Sequence, residues 1–517
     1  MEIYDENGEP VEIQPRKNSL WSKLGGGSLM FAALFHIILL VVGAFWIFQV
    51  IREPEKKIDF MPPGGGGGGE RGAEHKVQQK KRAQITPTTN VKRVFAEGAT
   101  SSYAVPEQGD SFGEMSTLSS LSGGGMSGGL GGSGSGSGFG KGSGAGGGLG
   151  LGGGVGKLFG LVPETMRKRC SREDRLQRLA QNGGTPACEE AVLKSLRWLK
   201  STQAPDGSWG EPNKAAMTGF ALLAYFGHCE TPISEEFGES CMKGIVYLVN
   251  LGLKNDGKLG INFIDNSWCY EQGIATYALG EAATFCKDLK INVPSLNEMT
   301  QKAGQIIIDN QHKKGGWAYH YDLTENAHVD VSISGWQIQA LKACSHTDLK
   351  FRGLSSCINK SLNYLGTCQA ESGGFGYVGT APVNANGYMT LTGVGMLCNQ
   401  MWGKGGRSEV RKGAKYLVEN TKFDYNTKES DLYAHYYESQ AMMQLGGEDW
   451  KFYNNLFRDQ LLNNQDPDGS WKQPGSGDQF TGDQGKIYRT ALCTLMLEVY
   501  YRFLNTGGGG MKERNGI

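Results

Sequence analysis

The chain has 517 residues, a formal net charge of zero and 79 glycines spread very unevenly. That length allows two or three domains, and the balanced charge with no long basic stripe argues against a nucleic-acid-binding protein. The 11 cysteines all lie between Cys170 and Cys493 without a CxxC pair, which speaks against a zinc ribbon or a thioredoxin-like site. An odd count leaves at least one thiol unpaired within the chain. Most are expected to be small buried apolar residues, with a few disulfides if the domain is exported.

Residues 1–28 are polar and carry Arg16, Lys17 and Lys23. Leu29 to Ile51 is a 23-residue stretch without a formal charge, long enough to span a bilayer and too long for a signal-peptide core. It reads as an uncleaved transmembrane anchor. The basic residues before it nearly tie with Arg52, Lys56 and Lys57 after it, so positive-inside counting does not orient it. His36 lies inside this span, and an ionisable side chain there is a functional candidate by default. Residues 52–157 hold Pro62-Pro63, a glycine run from Gly64 to Gly69, and a Gly/Ser tract from Gly123 to Gly156. Such a segment cannot bury enough apolar surface to order itself. It is expected to be a disordered tether of ~100 residues with an r.m.s. span of about 50–60 Å.

Structure is expected over 158–506, followed by a short tail at 507–517. Ser171-x-x-Asp174 predicts a cap on a short helix through Leu179. Thr185 followed by Pro186 predicts a second helix start, with Val192, Leu193, Leu196 and Leu199 at apolar 3–4 spacing. From there one signature recurs. Gln203, Gln311, Gln369 and Gln465 each follow an aliphatic residue (Leu199, Ile307, Leu365, Leu461). Each also precedes a glycine (Gly207, Gly315, Gly373, Gly469) and then an aromatic (Trp209, Trp317, Phe375, Trp471) at fixed offsets. Degenerate copies occur around Leu253, Gly257 and Leu259, and around Leu417 and Thr421. A spacing of roughly 44 to 58 residues defines a repeat architecture. Each repeat reads as a more charged first helix, a glycine turn with its aromatic, and a more apolar second helix. The second helices are expected to start at Thr218-Gly219, Gln272-Gly273, Ser334-Gly335, Thr392-Gly393, Ser439-Gln440 and Thr490-Ala491. Six such pairs closing on themselves give an all-α fold, an α/α toroid with the apolar helices as an inner ring and a cavity where their ends converge.

The run Lys194-x3-Trp198-x4-Gln203-x3-Gly207-Ser208-Trp209 resembles the QW motif of squalene–hopene cyclases and their relatives, over about residues 183–505. The chain is similar to the bacterial prenyltransferase/squalene-oxidase repeat proteins. Tyr270 to Thr276, Asp330 to Gln337 and Glu498 to Leu504 resemble signature segments of that group. The resemblance implies that the glutamine and aromatic tie one repeat to the next and do no chemistry. It also implies a test for cyclase activity, because those enzymes protonate an alkene from an Asp in a DxDD motif. Here the corresponding segment is Asp330-Val331-Ser332-Ile333, and only the first acid survives. Asp431-Leu432-Tyr433-Ala434-His435 resembles the His segment of prenyltransferase zinc sites without an Asp-x-Cys partner, and Cys269-Tyr270-Glu271-Gln272 has the spacing of a complement-type thioester without its glycine. No metal and no cofactor are implied.

The catalytic candidates are therefore Asp330, Glu271 and His435. Two carboxylates across the cavity, drawn from Glu271, Asp322, Asp330 and Glu438, would suit glycan hydrolysis if roughly 5 to 10 Å apart. Trp268, Tyr270, Asp322, Trp336, Tyr388, Tyr436, Tyr488 and Arg489 are candidates to line a ligand pocket, since aromatics with a few polar groups suit a lipid or a sugar. The segment from His36 through Gln49-Val50-Ile51-x-x-Pro54 resembles the anchor of TonB-type energy transducers. That resemblance implies a bacterial inner-membrane protein with its C-terminal domain in the periplasm and an ExbB/ExbD-like proton-channel complex as partner. The expected function is a binding or scaffold module for a lipid, glycan or envelope protein. The alternative is an enzyme acting on an isoprenoid or glycan in the toroid cavity.

Overall fold

The computed structural model describes residue 36, residues 93–95 and 102–104, and residues 169–383, 387–477 and 481–502. The expected anchor Leu29–Ile51 lies outside the described residues except for His36, which is helical and exposed. Among the described residues no helix is long and apolar enough to cross a membrane. Within the stretch expected to be a tether, β1 (Arg93–Phe95) pairs antiparallel with β2 (Ser102–Ala104), Val94 facing Tyr103. The rest of that stretch lies outside the described residues.

From Arg169 onward the chain is helical. The short α1 (Arg172–Gln181) opens on Ser171, whose hydroxyl accepts the Asp174 N–H at 3.0 Å. It leads into α2 (Pro186–Thr202), which starts at Pro186 as the sequence predicts. Then follow α3 (Lys214–Gly227), α4 (Gly238–Lys254), α5 (Trp268–Asp288), α6 (Leu296–Asp309), α7 (Val331–Ser345) and α8 (Leu354–Thr367). The chain continues through α9 (Thr392–Met401), α10 (Ser408–Asn420), α11 (Leu432–Leu445), α12 (Gly447–Asn463), α13 (Gly482–Leu497) and the short α14 (Val499–Arg502). Between α6 and α7, β3 (Trp317–Ala318) pairs antiparallel with β4 (Val329–Asp330). Most odd-numbered helices of the series begin one or two turns before the small-residue pairs predicted to start them; α9 alone starts on its pair.

The packing order is cyclic. Helices α3, α5, α7, α9, α11 and α13 each pack on the next, and α13 packs back on α3. They form an inner ring, and nearly every residue in them is buried. The even-numbered helices α2 to α12 pack outside this ring, each against an inner neighbour, and α12 returns to touch α2. Their exposed faces carry the charges and their buried faces the apolar stripe, as outer helices require.

The recurrent signature explains the closure. Each glutamine side-chain N–H donates twice, to its own turn glycine carbonyl and to a carbonyl of the next outer helix or its approach. Gln203 reaches Gly207 and Ser240, Gln311 reaches Gly315 and Cys357, and Gln369 reaches Gly373 and Glu409. Gln465 reaches Gly469 at 3.0 Å and Ala191 at 2.8 Å, joining the last repeat to the first. The indole N–H groups of Trp209, Trp317 and Trp471 donate to Leu199, Ile307 and Leu461, the aliphatic position of each signature. The main-chain N–H of each aromatic donates to a hydroxyl of the following inner helix: Thr218, Ser334, Thr392 or Thr490. The turn glycines have positive φ, and a Cβ on any of them would collide with a main-chain carbonyl of the next outer helix: Lys243, Lys360, Lys412 or Lys194.

The end of the inner ring remote from the repeat turns is closed by α1 and α14 packed together. Arg169 and Arg502 donate to opposite oxygens of Glu281, at 3.2 and 3.1 Å. A disulfide joins Cys170, just before α1, to Cys229, just after α3. The nine other cysteines described as free are all buried, in line with their expected role as small core residues.

Replacing Gly469 by Ala forces both a left-handed backbone and a clash with the Lys194 carbonyl. The expected loss is ~3 kcal/mol or more. Gly482 has a similar φ but open space around it, so Gly482→Ala should cost only about 1 kcal/mol. Urea denaturation of the two variants, followed by circular dichroism, checks the difference.

Candidate functional site

The bore of the ring is filled by its own side chains. In the first turn of the inner helices, the Tyr270 hydroxyl donates to Ser332 Oγ at 3.1 Å. Ser332 Oγ lies 2.7 Å from the hydroxyl of Tyr433. Those three residues come from α5, α7 and α11, so the hydrogen bonds cross the ring. One turn deeper, Trp336 stacks on Tyr436 with ring centres 5.5 Å apart. It also meets Phe220 and Tyr437 edge-on at 5.3 and 5.4 Å, and Phe220 packs on Tyr488 at 5.2 Å. All of these rings are fully buried. Deeper still come Tyr277 and the Glu281, Arg169 and Arg502 cluster. These side chains occupy the part of the bore where α3, α5, α7, α11 and α13 meet. Tyr270, Trp336, Tyr436 and Tyr488, predicted as pocket lining, are the packing of that bore.

Other predicted residues also prove local. Asp322 accepts the N–H and hydroxyl of Thr324 and caps a turn. Arg489 Nε donates to the Trp471 carbonyl at 2.7 Å and holds a repeat turn. Gln272 is committed to the Leu259 N–H and to the carbonyls of Gly257 and Ala303. The Cys269 thiol donates to Asn266. Neither group of the thioester-like spacing is directed at the other. Tyr388 donates to Glu438 at 2.7 Å and pairs with Thr421 at 2.6 Å. Tyr453 donates to the other Glu438 oxygen at 3.0 Å and lies 2.6 Å from His435 Nδ1. This network replaces the glutamine tie in the degenerate repeat around Thr421. Burial holds His435 down at about 4 and pushes Glu438 up to about 7, against the two tyrosine hydroxyls.

The candidate acids answer to separate partners. Glu271 faces the start of α3 and takes the N–H groups of Ala215 and Ala216, yet burial pushes it up to about 8. Asp330 caps α7, its Oδ1 accepting the Ile333 N–H at 2.8 Å. Its Oδ2 is buried, 3.7 Å from His328 Nε2 and beside the Tyr377 hydroxyl. Burial pushes Asp330 up to about 8 and His328 down, against the charged form of each, although the Tyr377 hydroxyl pulls Asp330 back. The half-exposed His328 ring sits between Tyr319 and Tyr377, at 5.6 and 5.2 Å, and their hydroxyls meet at 2.9 Å. These three residues have no periodic signal in the sequence; they stand in loops, and only the pairing of β3 with β4 brings them to Asp330.

The same loops carry the most exposed apolar side chains. Ile261 and Ile264, 56% and 84% exposed, precede α5; Leu323, 51% exposed, precedes α7; Val378, 42% exposed, lies before α9. Below the first pair, Phe263 meets Trp268 edge-on at 5.1 Å, and Trp268 meets Tyr321 at 5.1 Å. Three successive inner-helix starts thus present aliphatic tips over an aromatic floor. Of the predicted ligand residues, Trp268 lies under this face and Asp322 stands beside Leu323 on it.

No family profile matches the chain, and no curated protein matches it. Solved structures do. A type II terpene cyclase from Scytonema is 12% identical, with 62% of this chain covering 99% of that one at a TM-score of 0.41. An α-1,6-mannanase from Salegentibacter is also 12% identical, with 61% of this chain covering 98% of it at a TM-score of 0.45. A protein from Actinoplanes is 13% identical, covering 60% and 99% of the two chains at 0.38. Similarity at this level assigns no reaction to this chain; the ring order of its helices rests on their own packing.

The raised carboxyls set a pH dependence. Burial pushes Glu271 and Asp330 up to about 8 and Asp431 and Glu438 up to about 7, all well above the ordinary carboxylate range. The folded state binds these protons more tightly. Their stabilisation is complete below about pH 4 and is lost as pH rises through 7 to 8. His435, held down at about 4 by burial, acts oppositely, but only below the ordinary histidine value of about 6.5. Stability should therefore fall between pH 6.5 and 8, and Asp330→Asn, which keeps a capping oxygen, should flatten that fall. Urea midpoints at pH 6.5, 7.2 and 8.0 check both statements.

Proposed function

We propose that the chain is a membrane-anchored binding or scaffold module, built as a toroid of six helix-pair repeats and displayed on the periplasmic side of a bacterial inner membrane. One observation carries this reading: aromatic side chains of the inner helices meet across the ring, while aliphatic side chains stand exposed on the loops before three of those helices. Isolated exposed apolar residues need no explanation, but a group of them over an aromatic floor marks an interaction surface. The Cys170–Cys229 disulfide supports an oxidising compartment. The anchor and its coupling through His36 to an ExbB/ExbD-like complex remain part of the proposal on the sequence grounds given above. His36→Ala should abolish crosslinking to such a complex; unchanged crosslinking removes the coupling.

The face is tested with a photoreactive amino acid placed at Ile264, Leu323 or, as a control, Phe452 on the outer helix α12, in the full chain in its native envelope. Adducts at the first two positions and none at the third are expected. Ile264→Asp with Leu323→Asp should lower capture at least tenfold, since each charge would have to be buried. Equal labelling at Phe452 would sink the reading.

A second reading has its own observation. Asp330 places a buried carboxyl beside the half-exposed His328, where the first acid of a DxDD segment would stand; burial raises it to about 8 and so makes it a weak acid, and alkene protonation would need a further group to sharpen it. Turnover of a polyprenyl substrate that disappears in Asp330→Asn would establish this reading.

A further inference from the structure

We propose that the Cys170–Cys229 disulfide is a redox latch: a dithiol reductant opens it, and α1 then lifts from the closed end of the ring and admits water to the polar chamber beneath. The inference does not rest on the binding-module reading, since it concerns the end of the ring remote from the repeat turns. The repeat itself does not require these cysteines. After α3, the Cys229 N–H donates to Phe226 and the Glu230 N–H to Tyr225, which makes Cys229 the left-handed residue of a Schellman turn, with φ 68°. The same turn follows α5 and α9, where the left-handed residue is Lys290 or Gly403. Glycine is the unstrained choice there, so a cysteine at 229 serves the crosslink and not the turn. Cys170 lies just before the cap of α1 and is partly exposed, whereas Cys229 is 5% exposed.

Little apolar surface holds α1 down. Of its 10 residues only Arg175 and Leu179 are buried, and an isolated helix of that length is marginal in water. Its further grip is mainly polar: Arg175 meets Glu189 at 2.8 Å, and Arg169, just before the helix, meets Glu281 at 3.2 Å. What lies beneath favours opening. Both carboxyl oxygens of Glu498 are buried without a hydrogen-bond partner in the protein, as are Glu189 Oε2, Arg169 Nε and the Tyr501 hydroxyl. Glu498 stands against Gly227, where a Cβ would collide with its carboxyl, and burial pushes it well above the ordinary carboxylate range. Each of these groups gains hydrogen bonds that the protein does not supply once bulk water reaches it. The crosslink, between residues 59 apart in sequence, holds the cap against that tendency.

The step balances with a dithiol as co-reactant. One thiolate of the dithiol attacks Sγ of the more exposed Cys170, and the Cys229 thiolate leaves and takes a proton. The second thiol then displaces Cys170 and closes the reductant's own disulfide, so two electrons and two protons pass to the protein. Cap docking and oxidation are coupled reciprocally, and contacts that hold α1 down also favour the disulfide.

The test treats the folded full chain with dithiothreitol near neutral pH, counts reactive thiols with a maleimide and follows hydrogen exchange by mass spectrometry. The thiols of Cys170 and Cys229 alone should become reactive, since the others described as free are buried. Exchange across residues 172–181 should rise at least roughly tenfold while α3, α5 and α7 stay protected, and reoxidation should restore it. Arg169→Gln, which weakens the cap and leaves both sulfurs in place, should make the disulfide about tenfold easier to reduce, a shift of about 30 mV. Reduction that leaves α1 protected, that needs denaturant, or that unfolds the inner ring with it overturns the inference. An unshifted potential in Arg169→Gln does the same.

Discussion

Everything in this fold depends on the ring closing on itself. A glutamine amide that bridges two carbonyls of successive outer helices is a modest interaction, worth about 1 kcal/mol per hydrogen bond. Its value lies in repetition and in geometry. It fixes the angle between neighbouring helix pairs, and a small error at each junction would accumulate around the circle. The last such bridge, from Gln465 to Ala191, forms only if every earlier junction is right. The left-handed glycines enforce the same distance from the other side, since the next helix backbone rests directly against them.

Two junctions lack the signature and show what it is for. Between α4 and α6 the glutamine is supplied by the inner helix. Gln272 donates to the Gly257 and Ala303 carbonyls, and its oxygen accepts the Leu259 N–H that a hydroxyl accepts elsewhere. One side chain replaces two. At the Thr421 junction the tie is carried by Tyr388, Glu438 and Tyr453 instead. The buried glutamate that looked like a catalytic candidate is the hub of a structural replacement. Its cost is a carboxyl that burial pushes up to about 7 in the interior.

The sequence made the scaffold legible because glutamine, glycine and aromatic recur at fixed offsets and each has one physical task. It announced the helix starts after Ser171 and at Pro186 for the same reason, although Thr185 makes no side-chain cap to its helix. It did not reveal the filled bore. Periodicity shows that Trp336 and Tyr436 lie on buried faces, but not that α7 and α11 stand close enough across the ring for their rings to stack. The aromatic inventory of a lined cavity and of a packed one is the same. The cluster of exposed aliphatic side chains was hidden for a different reason. Ile261, Leu323 and Val378 stand singly in loops with no period, and only the assembly of consecutive repeats gathers them. Asp330 was visible as an acid at an inner-helix start, whereas its companions His328, Tyr319 and Tyr377 were not.

The closing bridge also has a consequence for synthesis. Ala191 and its partner Gln465 are 274 residues apart in the chain, so the first outer helix leaves the ribosome long before its neighbour exists. Until α12 and α13 arrive, one flank of α3 has nothing to cover it, and α3 is apolar on every side. The nascent protein must therefore carry an open, sticky arc through most of its translation. Contacts of such long range are slow to form, and half-made rings are suited to joining with one another.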